Sequence, residues 1–229
     1  MKKKYTKREP KEFNLFRAIF QRITVRWVYG TYYRVTSNFK IMGKKNIPKE
    51  KFFIVASNHV SAIDPFIVAD AVNCPIAYMA KIELFEKPIM RIFMDLLGAF
   101  AVNREKPELA TFKTVKDIMS TNWSLGVFPQ GGTRPYGKLN DLKKGFVVIA
   151  KKAQADIVPV AIGNWDGYPD KTKPKEKKNV TLHICKPISY KLDADEILYL
   201  WSKEISEHAD YTEIMPKPEK ITEKEPLNC

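Results

Sequence analysis

His59 and Asp64 stand five residues apart in "SNHVSAIDPF", directly after the apolar run "FFIVASN". On one continuous helix that spacing is a rotation of about 140°, so the two would not share a face. With His59 on a strand-exit loop and Asp64 at a helix start, the chain can fold back and bring them together. A carboxylate bonded to one ring nitrogen fixes the tautomer and stabilises the imidazolium, and the other nitrogen can then take a proton from a hydroxyl. The same residues also fit a purely structural arrangement, in which Asp64 caps the helix and His59 fills the loop. Ser61 lies between them but lacks the Gly-x-Ser-x-Gly elbow of a serine nucleophile.

A second chemical stretch is "FPQGGTRP". Gly131 and Gly132 allow backbone amides to approach an anion closely, while Thr133 and Arg134 add a hydroxyl and a guanidinium. The stretch lacks the Gly-x4-Gly-Lys-Ser/Thr pattern of a nucleotide loop, so ATP binding is not indicated. Arg104, in "GAFAVNRE", supplies another arginine at a strand end, and a plain surface arginine fits there equally well. Two arginines beside one base suggest an anionic substrate that carries a hydroxyl. Cys74, Cys185 and Cys229 show no metal-type spacing, and their odd, low count argues against a disulfide framework and for a reducing compartment.

From residue 52 onward, short apolar strand-like runs alternate with helix-like segments. This predicts a single α/β domain, a central, mostly parallel or mixed sheet flanked by helices, with sites where strands end and helices begin. The three chemical stretches all fall at such ends. The spacing predicts a helix over 12–36, with Phe13, Phe16, Phe20, Ile23 and Trp27 on one face and Asn14, Arg17, Gln21 and Thr24 largely opposite. An aromatic stripe beside arginines fits a helix lying in a membrane interface, and it fits equally a helix packed on the domain's own core. The expected organisation is a basic mobile leader over 1–11 and an amphipathic helical, membrane-associating region over 12–40. The main domain then runs over 41–210, and a flexible tail covers 211–229.

The 229 residues carry 39 Lys and Arg against 26 Asp and Glu, a net charge of +13, which favours anionic partners: nucleic acid, acidic lipid or phosphorylated metabolites. Neither a recognisable nucleic-acid module nor aromatics interleaved with basic residues are evident outside the N-terminal helix, so no nucleic-acid partner is expected. Arg17, Arg22 and Arg26 interrupt the N-terminal apolar stretch, which leaves neither a signal-peptide core nor the ~18 uncharged residues of a spanning helix.

Taken together and in order, "NHVSAID", "GAFAVNR", "VFPQGGTR" and "IVPVAI" resemble the four motifs of the glycerolipid acyltransferase family, whose members include 1-acylglycerol-3-phosphate acyltransferases. The resemblance covers residues 52–163 and implies transfer of a fatty acyl group from acyl-CoA or acyl carrier protein to a glycerol hydroxyl. On this pattern His59 deprotonates the acceptor hydroxyl and Asp64 orients it. Arg104, Gly132, Thr133 and Arg134 hold the acceptor phosphate, Lys81 adds positive charge, and Pro159 shapes an acyl pocket. The family's third motif usually reads Phe-Pro-Glu-Gly-Thr-Arg, whereas this chain has Gln130, expected from the motif among the substrate-binding residues, and one further glycine, and both bear on the identity of the acceptor. The expected product is phosphatidic acid made from 1-acylglycerol 3-phosphate. The same chemistry on glycerol 3-phosphate or another lysolipid, or a non-catalytic basic binding module, are the alternatives. A thioester is already activated, so no cofactor or metal is implied. The expected setting is peripheral attachment to an anionic membrane surface on its cytoplasmic face.

Overall fold

Short β-branched runs become strands in this chain, and the longer periodic stretches between them become helices. The computed structural model describes residues 3–49, 52–102, 109–134, 137–164 and 179–219. In chain order its helices are α1 (Lys3–Thr6), α2 (Leu15–Ile23), α3 (Gly30–Thr36), α4 (Asp64–Val72), α5 (Pro88–Leu96), α6 (Leu109–Met119), α7 (Gly145–Ala153) and α8 (Ala194–Ser206). A π-helical stretch, Thr24–Tyr29, joins α2 to α3. The strands are β1 (Lys40–Met42), β2 (Ile54–Ser57), β3 (Ile76–Lys81), β4 (Phe100–Val102), β5 (Ser124–Val127), β6 (Gly137–Lys138), β7 (Ile157–Gly163), β8 (Thr181–Ile184) and β9 (Tyr211–Glu213).

Seven strands form one sheet in the order β1-β8-β7-β2-β5-β3-β4, parallel at every pairing except β7 with β8. This is the predicted α/β architecture. Side chains alternate across the sheet. Ile54, Ala56, Leu125 and Val127 pack with α6, α7 and α8 on one face, while Val55, Val158, Val160 and Ile162 pack with α4 and the N-terminal helices on the other. In the register, Ala56 lies opposite Val127 and Lys81 opposite Val102, so β2, β5, β3 and β4 all end along one edge. That edge receives the loops that carry the candidate chemistry.

Two expectations need correction, and two features were not settled by the sequence. The leader is not loose: Arg8 is buried, donates to Ala99 O at 2.6 Å and Glu12 Oε1 at 3.0 Å, and pairs with Asp95. The tail is not loose from residue 211 either, since β9 pairs with β6 and Tyr211 is buried; residues 220–229 lie outside the described residues. The three-residue β1, too short to show a period, was not expected and pairs with β8. The N-terminal helix, finally, is oriented opposite to its polarity. Gln21, Thr24 and Val25 face the domain, while Leu15, Phe16, Ile19, Ile23 and Trp27 are exposed, Trp27 at 72%. Gln21 explains the reversal, because its amide is matched on both sides by backbone. Nε2 donates to Ile76 O and Leu97 O, each at 2.8 Å, and Oε1 accepts from Ile76 N at 2.9 Å. Phe13 leaves the stripe altogether and packs edge-on against Trp123.

Candidate active site

The chain leaves β2 at Ser57 and starts α4 at Asp64, so the intervening six residues must turn within one short loop. Asp64 holds that loop. Its Oδ2 accepts from Val60 N at 2.6 Å and Ser61 N at 2.8 Å, and meets His59 Nδ1 at 2.9 Å. Asp64 is the first helical residue, with Pro65 behind it in the first turn, and Ile63 is the N-cap. The carboxylate therefore reaches back into the loop instead of capping the helix, although its charge still sits at the favourable end of the helix dipole. Ser61 Oγ is engaged in the turn, accepting from Ile63 N at 3.4 Å.

With Nδ1 held by a carboxylate, His59 is the Nδ1–H tautomer when neutral, and Nε2 is the basic nitrogen. Nε2 lies 3.5 Å from Thr133 Oγ1. The ring stacks on Phe128 at 4.1 Å, and Phe128 stacks in turn on Tyr78. This fixes the plane of the imidazole as well as its tautomer.

The loop after β5 is attached to the His59 loop through backbone. Gln130 Oε1 accepts from His59 N at 2.7 Å, and Arg134 N donates to His59 O at 2.8 Å. Gln130 is buried, so its side chain supports His59 from behind. Gly131 turns the chain at φ +71 with its N–H on Phe128 O, a conformation that favours glycine. Thr133 and Arg134 are exposed at the rim, and the Arg134 guanidinium is 3.6 Å from Asp141. Lys81, at the end of β3, is exposed beside the same opening. Arg104 lies outside the described residues. Pro159 sits inside β7 opposite Ala56, where its carbonyl accepts from Cys185 N, and it lines neither cavity described next.

An apolar cavity of about 240 Å³ opens at His59, Thr133 and Lys81 and runs between α4, α5 and α2, past Phe66, Ala69, Leu97 and Val25. A second, of about 270 Å³, lies between β5, α6 and α7, past Phe112, Phe146 and Ile149. Met79 and Phe128 border both. Sequence reasoning missed the inner supports. Asn58 donates to Ile162 O at 2.9 Å and to the Tyr211 hydroxyl at 3.3 Å, and accepts from Ile162 N at 2.8 Å. Burial raises the Tyr211 phenol above its ordinary pKa, while the Asn58 and Gln130 side chains oppose that shift. Asn58 is adjacent to His59 and could have been singled out on that ground; nothing in the sequence marks Tyr211.

Comparison with known proteins gives this arrangement a family. A relative from Borreliella burgdorferi, named 1-acyl-sn-glycerol-3-phosphate acyltransferase, is 33% identical over 130 residues, 56% of this chain and 52% of that protein. A protein of the same name from Bacillus subtilis is 33% identical over 123 residues, 53% of this chain and 61% of its own. The matched stretch thus spans only about half to three-fifths of these relatives. The crystal structure of a 1-acyl-sn-glycerophosphate acyltransferase from Thermotoga maritima shares the fold, with a TM-score of 0.62 over 80% of this chain and 78% of that one, at 22% identity. The model of the acyltransferase family matches residues 38–163, more than half of the chain and the whole span of the four motifs, and the chain belongs to that family.

Proposed function

We propose that this protein transfers a fatty acyl group from a thioester to the free hydroxyl of 1-acyl-sn-glycerol 3-phosphate, giving phosphatidic acid. The observation that carries the reading is the placement of His59: Nδ1 held by Asp64, Nε2 directed to the rim where an apolar cavity meets Thr133. In this reading Nε2 takes the proton of the acceptor hydroxyl as its oxygen attacks the thioester carbonyl, and returns it as the thiol leaves. Asp64 stabilises the imidazolium between those two events. The thioester, from acyl-CoA or acyl carrier protein, is activated enough that neither a covalent enzyme intermediate nor a cofactor is needed.

Arg134, Lys81 and Gly132 stand where a phosphate could be held at the cavity mouth. The family pattern assigns Arg104 to the same task. Gln130 acts behind the histidine rather than on substrate. Two apolar cavities meeting at Phe128 and Met79 favour a lysolipid over glycerol 3-phosphate, because donor and acceptor then each bring a chain to be sheltered. The names of the relatives support the same acceptor.

The exposed apolar face of α2, continued by Ile89 and Ile92 of α5, supports attachment to a lipid surface, with the positive net charge favouring an anionic leaflet. No helix among the described residues is long and apolar enough to cross a membrane. Offering lysophosphatidate, glycerol 3-phosphate and a zwitterionic lysolipid separately with one acyl thioester tests the acceptor. Acylation of lysophosphatidate should exceed the others by at least about tenfold, and an equal or higher rate on glycerol 3-phosphate would reverse the assignment.

A further inference from the structure

Away from the His59 site, the fold brings together three side chains that the sequence keeps apart. Cys185 follows β8 directly, Glu204 lies in the last turn of α8, and His208 lies in the turn just past the end of that helix at Ser206. One ligand-capable atom from each lies within 4.8 Å of the other two. Cys185 is buried, whereas Glu204 and His208 are half-buried, so the cluster has an inner end and a route from solvent. A second feature fixes the imidazole: His183, two residues before Cys185 on the same strand side, stacks on the His208 ring at 3.9 Å and 12°. A third lets the segment come close. A Cβ on Gly163, at the end of β7, would meet His208 O at 2.4 Å, so only glycine admits the chain there without a shift.

We propose that Cys185, Glu204 and His208 form a binding site for a zinc-class divalent cation that ties the end of α8 to β8. The donor set is one thiolate, one imidazole and one carboxylate, which suits zinc and its borderline-soft neighbours and not calcium or magnesium, which take oxygen. Zinc–ligand bonds of about 2.0–2.3 Å imply tetrahedral ligand separations of roughly 3.3–3.7 Å. Closing from separations within 4.8 Å therefore brings the donor atoms nearer by at most roughly 1.5 Å. One proton leaves Cys185 on binding. The cation then meets two negative ligands and one neutral imidazole, so the charge cancels, and water takes the fourth position.

The consequence is structural and stands independently of acyl transfer. Three residues past His208, Tyr211 reaches Asn58, the neighbour of His59. A cation at the cluster fixes the segment between α8 and β9 and so the position of Tyr211.

Cobalt(II) titration of the full chain, with absorption spectroscopy, tests the site directly. The expected result is one Co²⁺ per chain with a thiolate-to-cobalt charge-transfer band, displaced by Zn²⁺. The band should persist in a Cys74→Ser/Cys229→Ser double variant and vanish in Cys185→Ser. Glu204→Gln, at a half-buried position where folding is not at stake, should weaken binding at least about tenfold. Absence of the band from the wild-type protein, its survival in Cys185→Ser, or unchanged affinity in a folded Glu204→Gln would each overturn the proposal.

Discussion

One carboxylate oxygen, Asp64 Oδ2, meets His59 Nδ1, Val60 N and Ser61 N at once. An asparagine oxygen in the same place can accept from all three but carries no charge. Asp64→Asn should therefore leave the fold intact yet lower kcat by about 10²- to 10⁴-fold, with KM nearly unchanged, because the imidazolium loses its charged partner. Steady-state rates measure this, and a variant with the wild-type kcat would remove Asp64 from its orienting role. Gln130→Ala should act through the same histidine by leaving the buried His59 N–H unpaired, at a cost of about 1–3 kcal/mol. Conservative Gln130→Glu, which keeps the acceptor, should restore most of the lost stability on urea unfolding; no recovery would mean the contact is incidental. The His59–Asp64 contact was legible in the sequence because one loop closes it. The contacts of His59 with Gln130 and of Asn58 with Tyr211 were not, since they join positions 71 and 153 residues apart and only the fold brings them together.

Among the elements, the N-terminal helix separates two properties that usually coincide. Its period was readable, but not which face turns inward. Apolarity alone points Phe16 and Trp27 at the core, yet the backbone of Ile76 and Leu97 gives Gln21 three matched partners, and that decides the orientation. The stripe left outside should sit in lipid. Replacing Phe16, Ile19 and Trp27 together by serine should weaken co-sedimentation with anionic vesicles at least about tenfold and leave the thermal unfolding midpoint in place, since these residues are already exposed. Unchanged vesicle binding would show that the face serves something other than lipid. The strands of the sheet other than β1 were legible from their apolar runs. Strand β9 was not, because its pairing with β6 joins two short segments inside otherwise polar stretches.

Across the whole molecule, the alternating pattern from residue 52 was enough to give a mostly parallel α/β sheet and to point the candidate site to its strand ends. What the pattern could not show is how many ionisable groups the fold buries. Burial pushes the Cys74 thiol from 9.0 up to about 11, with Ser124 and Arg22 opposing, and raises Tyr78 well above its ordinary value. The unfolded chain thus loses these protons first. Stability should be fully present below pH 9 and fall as pH rises from 9 to about 11. Urea midpoints at about pH 8 and about pH 10.5 should show a smaller loss for Cys74→Ser than for the wild-type protein; equal losses would dissociate Cys74 from the effect. The central claim, that His59 activates the hydroxyl of a lysophospholipid, is tested most directly by product analysis. Lysophosphatidate in vesicles is incubated with acyl-CoA or acyl carrier protein thioester, and phosphatidic acid is quantified by mass spectrometry. The wild-type protein should form one phosphatidic acid per thioester consumed, and His59→Ala should form it at least about 10²-fold more slowly; no phosphatidic acid with either donor, or equal rates from the two proteins, would contradict it.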